Sequence, residues 1–198
     1  MVVFGITGGS GSGKTSVSKM LEKLGVHIID TDVIAHEIVE PNSDCLNELV
    51  DYFGDSILND DKTLNRKKLA SIAFSDKQKT EALSNITHKY IKAEVVKDIN
   101  TTDAELVGVD GAVIIGSNVE PLCEFIVSVI ADKQSRIIRI KTRDNITDEQ
   151  AIQRINAQND DEFYKENSMY IIYNNGDIAQ LESDVVGLFN RIKGNSFK

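Results

Sequence analysis

The chain has no tryptophan, only two prolines and only two cysteines among its 198 residues. Cys45 and Cys123 stand far apart, which excludes a disulfide framework and any paired metal-ligand spacing. Both read as small buried hydrophobes in a reducing compartment. No apolar run approaches the ~20 residues that span a bilayer. A glycine-rich stretch interrupts the only candidate for a hydrophobic leader, so a cytoplasmic protein without membrane association is expected. Basic residues are in deficit: 22 Lys and Arg against 31 Asp and Glu give a net charge of −9. That balance argues against a nucleic-acid-binding surface, which needs a basic footprint. It leaves room for a phosphate-bearing small molecule, because local placement of charge decides that. No repeat, low-complexity tract or linker is visible, and no obligate protein partner is evident. One domain, 1–198, is expected.

What is present begins at residue 8. Gly8-Gly9-Ser10-Gly11-Ser12-Gly13-Lys14-Thr15 satisfies G-x-x-x-x-G-K-[ST] in full. The apolar run Val2 to Thr7 before it suits a buried parallel strand. Val17, Met20, Leu21 and Leu24 after it have helical spacing. This strand–loop–helix context marks a phosphate cradle: Gly8, Gly11, Ser12 and Gly13 turn backbone N–H groups inward, followed by those of Lys14, Thr15 and Ser16. Lys14 would reach the β and γ phosphates of ATP, and the Thr15 hydroxyl would ligate Mg²⁺.

Further apolar runs at 27–30, 106–115, 124–131 and 170–173 read as strands separated mainly by helical patterns. The fold class is therefore α/β, a three-layer sandwich around a five-stranded parallel sheet. Residues 43–53, 64–73 and 76–100 interrupt the alternation with three consecutive helices. They predict a helical lobe over about 42–103, inserted into a core of 1–41 and 104–198. Ser75-Asp76-Lys77-Gln78 and Thr147-Asp148-Glu149-Gln150 read as capping boxes.

Asp30 and Asp32 stand at the predicted carboxyl end of the second strand, the edge where ligands sit in open α/β sheets. Strand spacing would put both side chains on one side. Two readings of Asp32 stay open: a carboxylate that accepts a hydroxyl proton, or an N-cap for the helix carrying Ile34 and Ile38. Arg136, Arg139 and Arg143 would share one helix face without nearby acids, which suits either a mobile phosphate-binding lid over about 134–160 or a solvated basic face. Asp110, ending the third strand, either holds Mg²⁺ through water or begins a turn. His88 and the Lys67-Lys68 pair read more readily as packing and surface charge.

These segments together resemble the dephospho-CoA kinase family, P-loop small-molecule kinases. The likeness is carried by Gly5 to Thr15; by Asp30-Thr31-Asp32 with Ile34-Ala35 and Pro41; and by Leu64 to Leu69 with Thr87-His88. It continues in Arg139, Arg143-Asp144, Ala151, Arg154-Ile155 and Gln158, and ends in Asn174-Asn175-Gly176. The resemblance implies transfer of the γ-phosphoryl of ATP to the 3′-hydroxyl of dephospho-coenzyme A, the last step of coenzyme A synthesis. It implies catalytic roles for Asp32, Lys14, Arg139 and Arg143, and acceptor binding by Asp30, Asp32, Arg66 and His88. One departure is visible. Where the family carries Pro-Leu-Leu-Phe-Glu after the third strand, this chain has Ala112-Val113-Ile114-Ile115-Gly116, and Lys89 replaces a proline after the histidine. A nucleoside or nucleotide kinase, or a catalytically silent ATP-binding switch, is the alternative on the same scaffold.

Overall fold

Val2–Thr7 forms the first strand, β1, with every residue after Val2 buried. A computed structural model describes residues 1–195 of the chain. Around β1 lie β2 (His27–Asp30), β3 (Leu106–Asp110), β4 (Phe125–Ile130) and β5 (Tyr170–Tyr173), in the order β2-β3-β1-β4-β5. The strands run parallel: Val2 pairs with Leu106, Phe4 with Phe125 and Val127 with Tyr170. β1 sits centrally: the chain goes first to the edge strand β2, returns to β3 beside β1, and then crosses to β4 and β5 on the other side. In such sheets the switch opens a crevice at the carboxyl ends.

Parallel sheets are covered on both faces, which is why the strands are almost wholly apolar. On one face Phe4, Ile6, Val127 and Val129 pack against Val17 and Leu21 of α1 (Lys14–Lys23). Leu181, Val185 and Leu188 of α9 (Ile178–Asn195) complete that layer. The residues of opposite parity, Val3, Val107, Val109 and Ile126, are buried as well. By strand register Asp110 lies on the α1 face, opposite Ile6.

The chain divides into two compact units, one made of residues 1–29 and the chain from 101 onward, the other of residues 30–100. The second unit is helical: α2 (Thr31–Glu37), α3 (Asp44–Phe53), α4 (Arg66–Ala73) and α5 (Lys77–Thr101). Its own core gathers Val39, Cys45, Leu49, Ile57, Leu69 and Ala73. In the first unit, α6 (Lys133–Asp144) and α7 (Asp148–Asn156) make a hairpin around Ile137, Ile140, Ala151 and Ile155. A short α8 (Asp161–Glu166), which periodicity did not anticipate, follows it, capped by Asp160.

Three local expectations are corrected. The apolar run 106–115 is not one strand: β3 ends at Asp110 and the chain turns, with Ile114 buried from the loop and Val113 exposed. The cap of α5 is Asp76, which accepts from Lys79 N, while the Ser75 hydroxyl turns back to Ile72 O. Asp32 is neither a strand residue sharing a side with Asp30 nor an N-cap. It lies in the first turn of α2, and Asp30 is the cap. The Thr147–Gln150 capping box forms as expected, with both reciprocal bonds present.

Candidate active site

Between β1 and α1 the chain wraps the loop 8–13, and Gly13 serves as the N-cap of α1 with φ 99°. That left-handed conformation disfavours any residue with a side chain, and a Cβ at Gly13 would run into the Asn174 amide. No side chain caps α1 and its first turn holds no acid. The first N–H groups of a helix lack intrahelical partners, and with the helix dipole they favour an anion.

The loop is held by its carbonyls. Arg136 Nε donates to Ser10 O at 2.9 Å. Arg139 Nη1 donates to both Gly11 O and Ser12 O at 3.2 Å, and Asn174 Nδ2 donates to Ser12 O at 2.8 Å. Arg139 Nη2 reaches on to Asn174 O at 2.9 Å, joining the loop to the end of β5. The carbonyls of Ser10, Gly11 and Ser12 are thus tied, and a turn from Ser12 N to Gly9 O at 3.0 Å closes the loop into a cradle. In the loop the Ser12 hydroxyl is buried and makes no hydrogen bond among the described residues. A buried polar oxygen of this kind is costly without a partner, and a phosphate oxygen would supply one. The residues present therefore fit a polyphosphate. Lys14 forms an ion pair with Asp110, whose side chain is 4% exposed. Thr15 and Ser16 present exposed hydroxyls in the first turn of α1.

Of the arginines expected on one helix face, Arg136 and Arg139 meet the loop and Arg143 does not. Arg143 is exposed and makes a two-pronged bond to Asp144, at 2.7 and 2.9 Å, and Arg154 pairs with the same carboxylate. The two guanidinium groups hold the Asp144 carboxyl down to about 2. Together the three side chains form a local clasp between the end of α6 and α7.

The remaining candidates lie in the second unit. Asp30 Oδ1 accepts from Asp32 N at 2.8 Å and from Val33 N at 3.1 Å. Asp32 is exposed, and its carbonyl meets His36 Nδ1 at 2.7 Å. Arg66 is exposed, with Nη2 3.5 Å from His36 O. His88 is half-buried on α5, its Nδ1 3.4 Å from the Ser84 hydroxyl.

Three residues hold the loop directly beyond the expected ones: Arg136, read from the sequence only as part of a possible lid face, and Gln158 and Asn174, named only as matches to the family pattern. Arg136 precedes Arg139 by one helical turn, which was the available signal. Beside Thr7 a cavity of about 210 Å³ is walled by Ala112, Val113, Ile115, Gln158 and Tyr164. The loop after β3 adds no carboxylate of its own to that wall. The next acid along the chain, Glu120, closes the loop by accepting from Gly116 N at 2.6 Å.

Comparison with known proteins gives a consistent result. A family model described as dephospho-CoA kinase matches residues 2–180. A curated dephospho-CoA kinase of Lactobacillus johnsonii is 34% identical over 191 residues, covering 95% of this chain and 96% of that protein. The solved dephospho-CoA kinase of Campylobacter jejuni is 26% identical, with a TM-score of 0.71 and 98% of each chain covered. A solved structure from Thermus thermophilus has a similar fold, with a TM-score of 0.83 at 24% identity, covering 96% of this chain and 97% of that one.

Proposed function

Because the chain belongs to the dephospho-CoA kinase family, and is thus an ATP-using kinase of a small molecule, we propose that it phosphorylates the 3′-hydroxyl of dephospho-coenzyme A. The observation that carries this reading is the loop 8–15, anchored through its carbonyls and enclosing the unpartnered Ser12 hydroxyl. When bound, ATP with Mg²⁺ supplies the transferable phosphoryl group. The backbone N–H groups of Gly8, Gly11 and Gly13 would cradle phosphate oxygens, joined by those of Lys14 and Thr15, whereas those of Ser12 and Ser16 already donate to Gly9 O and Gly13 O. The Lys14 ammonium neutralises charge there, and the Thr15 hydroxyl, with Asp110 through water, holds the metal.

Asp32 is assigned to the acceptor: its carboxylate takes or orients the ribose hydroxyl proton. Arg66 and His88 hold the acceptor from the helical lobe 42–103, and Asp30 positions Asp32 by capping α2. Arg139 and Arg143, in the lid 134–160, neutralise developing charge and exclude water. Arg143 first leaves Asp144 to do so. The reading places the enzyme in the cytoplasm, where Cys45 and Cys123 stay reduced.

The test is ADP formation by the purified protein against a panel of acceptors, with dephospho-coenzyme A, nucleosides and nucleotides in parallel. ADP formed only with a nucleoside or nucleotide rejects the acceptor assignment. ATP binding without turnover on any acceptor rejects the enzyme. Asp32→Asn is expected to lower turnover by about two to four orders of magnitude with ATP binding intact. A variant with wild-type turnover removes Asp32 from the chemistry.

A further inference from the structure

We propose that Arg136 and Gln158 are positioning residues that set the affinity of the phosphate loop for nucleotide by clamping Ser10 from both sides. This rests on the ATP-binding part of the reading above, not on the identity of the acceptor. Ser10 occupies the middle of the loop, and both of its backbone groups are taken by this pair. Its N–H donates to Gln158 Oε1 at 2.9 Å, and its carbonyl accepts from Arg136 Nε at 2.9 Å. The clamp is closed on itself, because Arg136 Nη2 donates to the same Gln158 oxygen at 3.0 Å. Gln158 Nε2 adds a bond to the Ser10 hydroxyl at 3.3 Å.

Arg136 is 6% exposed, an unusual place for a guanidinium unless its donors are used. Its charge faces Asp161 Oδ1 at 3.9 Å. It also shapes the loop by excluding side chains. A Cβ on Gly9 would strike the guanidinium, and one on Gly11 would sit 2.7 Å from the Arg136 carbonyl oxygen. Gly11 is therefore required by the backbone of α6 itself, whatever the phosphates require, while a side chain at Gly9 would push the Arg136 guanidinium out of the clamp.

The energetic consequence concerns order. An unclamped Ser10 peptide samples other orientations, and each must be frozen out when phosphate arrives. Arg136 and Gln158 spend their hydrogen bonds on the protein, so their loss weakens ground state and transition state alike. Such a change raises Kd and KM for ATP and leaves kcat almost untouched.

The test uses the full chain and three variants: Arg136→Met, Arg136→Lys and Gln158→Ala. ATP affinity is measured by calorimetry without acceptor, and steady-state constants are measured separately. Arg136→Met and Gln158→Ala are each expected to weaken ATP binding about tenfold, from the loss of charge-assisted and buried hydrogen bonds. KM for ATP should rise in parallel, with kcat within about threefold of wild type. Arg136→Lys retains a donor for Ser10 O and should recover part of the loss. KM for the acceptor should not move. If Arg136→Met fails to fold, Gln158→Ala decides, since Gln158 is half-exposed and lies in a loop. Folded variants with wild-type ATP affinity overturn the clamp, as does a kcat loss with affinity unchanged. A wild-type protein that binds ATP but ignores dephospho-coenzyme A refutes the acceptor assignment alone. One that binds no ATP refutes both.

Discussion

Replacing Lys14 by Met separates what that lysine does for catalysis from what it does for the fold. Its ammonium pairs with Asp110, and the two side chains are only 13% and 4% exposed. Met has nearly the volume of the lysine stem, so packing against the loop is kept while the charge is removed. Breaking a buried ion pair from one side leaves the other charge buried without that partner, at a cost of about 3–5 kcal/mol. At the 2–4 °C per kcal/mol expected for a chain of this size, melting should fall by roughly 6–20 °C. Asp110→Asn in the Lys14→Met background removes the stranded charge and should return most of that loss. ADP formation should stay severely reduced in both, because neither restores a cation to the phosphates. The assay is a full double-mutant cycle by urea unfolding, with turnover measured on each protein. If Lys14→Met unfolds within about 0.5 kcal/mol of wild type, the size of an ordinary surface change, the buried pair does not support the fold and the reasoning fails.

Other outcomes follow from the same geometry. Gly13→Ala should abolish ATP binding, since a Cβ there meets the Asn174 amide at a left-handed φ; calorimetry showing retained affinity would contradict it. Asp30→Ala should cost about 1 kcal/mol through the lost cap of α2, and Asp30→Ser should recover most of it in urea melts. Unequal behaviour of Ser and Ala is the signature of capping. The Asp144 carboxyl is held at about 2 by Arg143 and Arg154. A depressed carboxylate contributes stability above its unfolded value near 4 and loses it as pH falls through about 2. The clasp should therefore be intact at neutral pH and open only below about 4. Carboxyl carbon NMR in the wild type should give a midpoint near 2, and Arg143→Met should move it toward the ordinary range. A wild-type midpoint near 4 would show that the clasp does not form in solution.

The contrast between the two halves of the loop's chemistry shows where sequence reasoning succeeds. The loop from Gly8 to Thr15 is contiguous, so residue order alone places it between β1 and α1. β1, β2 and β5 were legible for a similar reason: each is a short apolar run bounded by turn residues. The run 106–115 misled because an apolar residue can be buried from a loop as well as from a strand, and Ile114 is. Asp32 misled because Asp30, two residues earlier, already supplies the cap; strand end and helix start share that residue, and period alone cannot divide them.

The anchors on the carbonyl side were beyond reach of spacing arguments. Arg136 lies 126 residues from Ser10, and Asn174 lies 162 from Ser12. Only the parallel order β1-β4-β5, with α6 crossing between the last two strands, brings them to the loop. This division has a physical consequence. On the proposed function the local motif supplies the groups that touch phosphate, and on the proposed clamp the distant anchors decide how much order those groups have before nucleotide binds. Loss of Arg139 or Asn174 would leave the motif complete by inspection and yet release Ser12 O, the carbonyl both of them hold. A complete phosphate-loop motif is thus evidence for the kind of ligand, while the strength of binding is written in residues that enter the fold more than a hundred positions later.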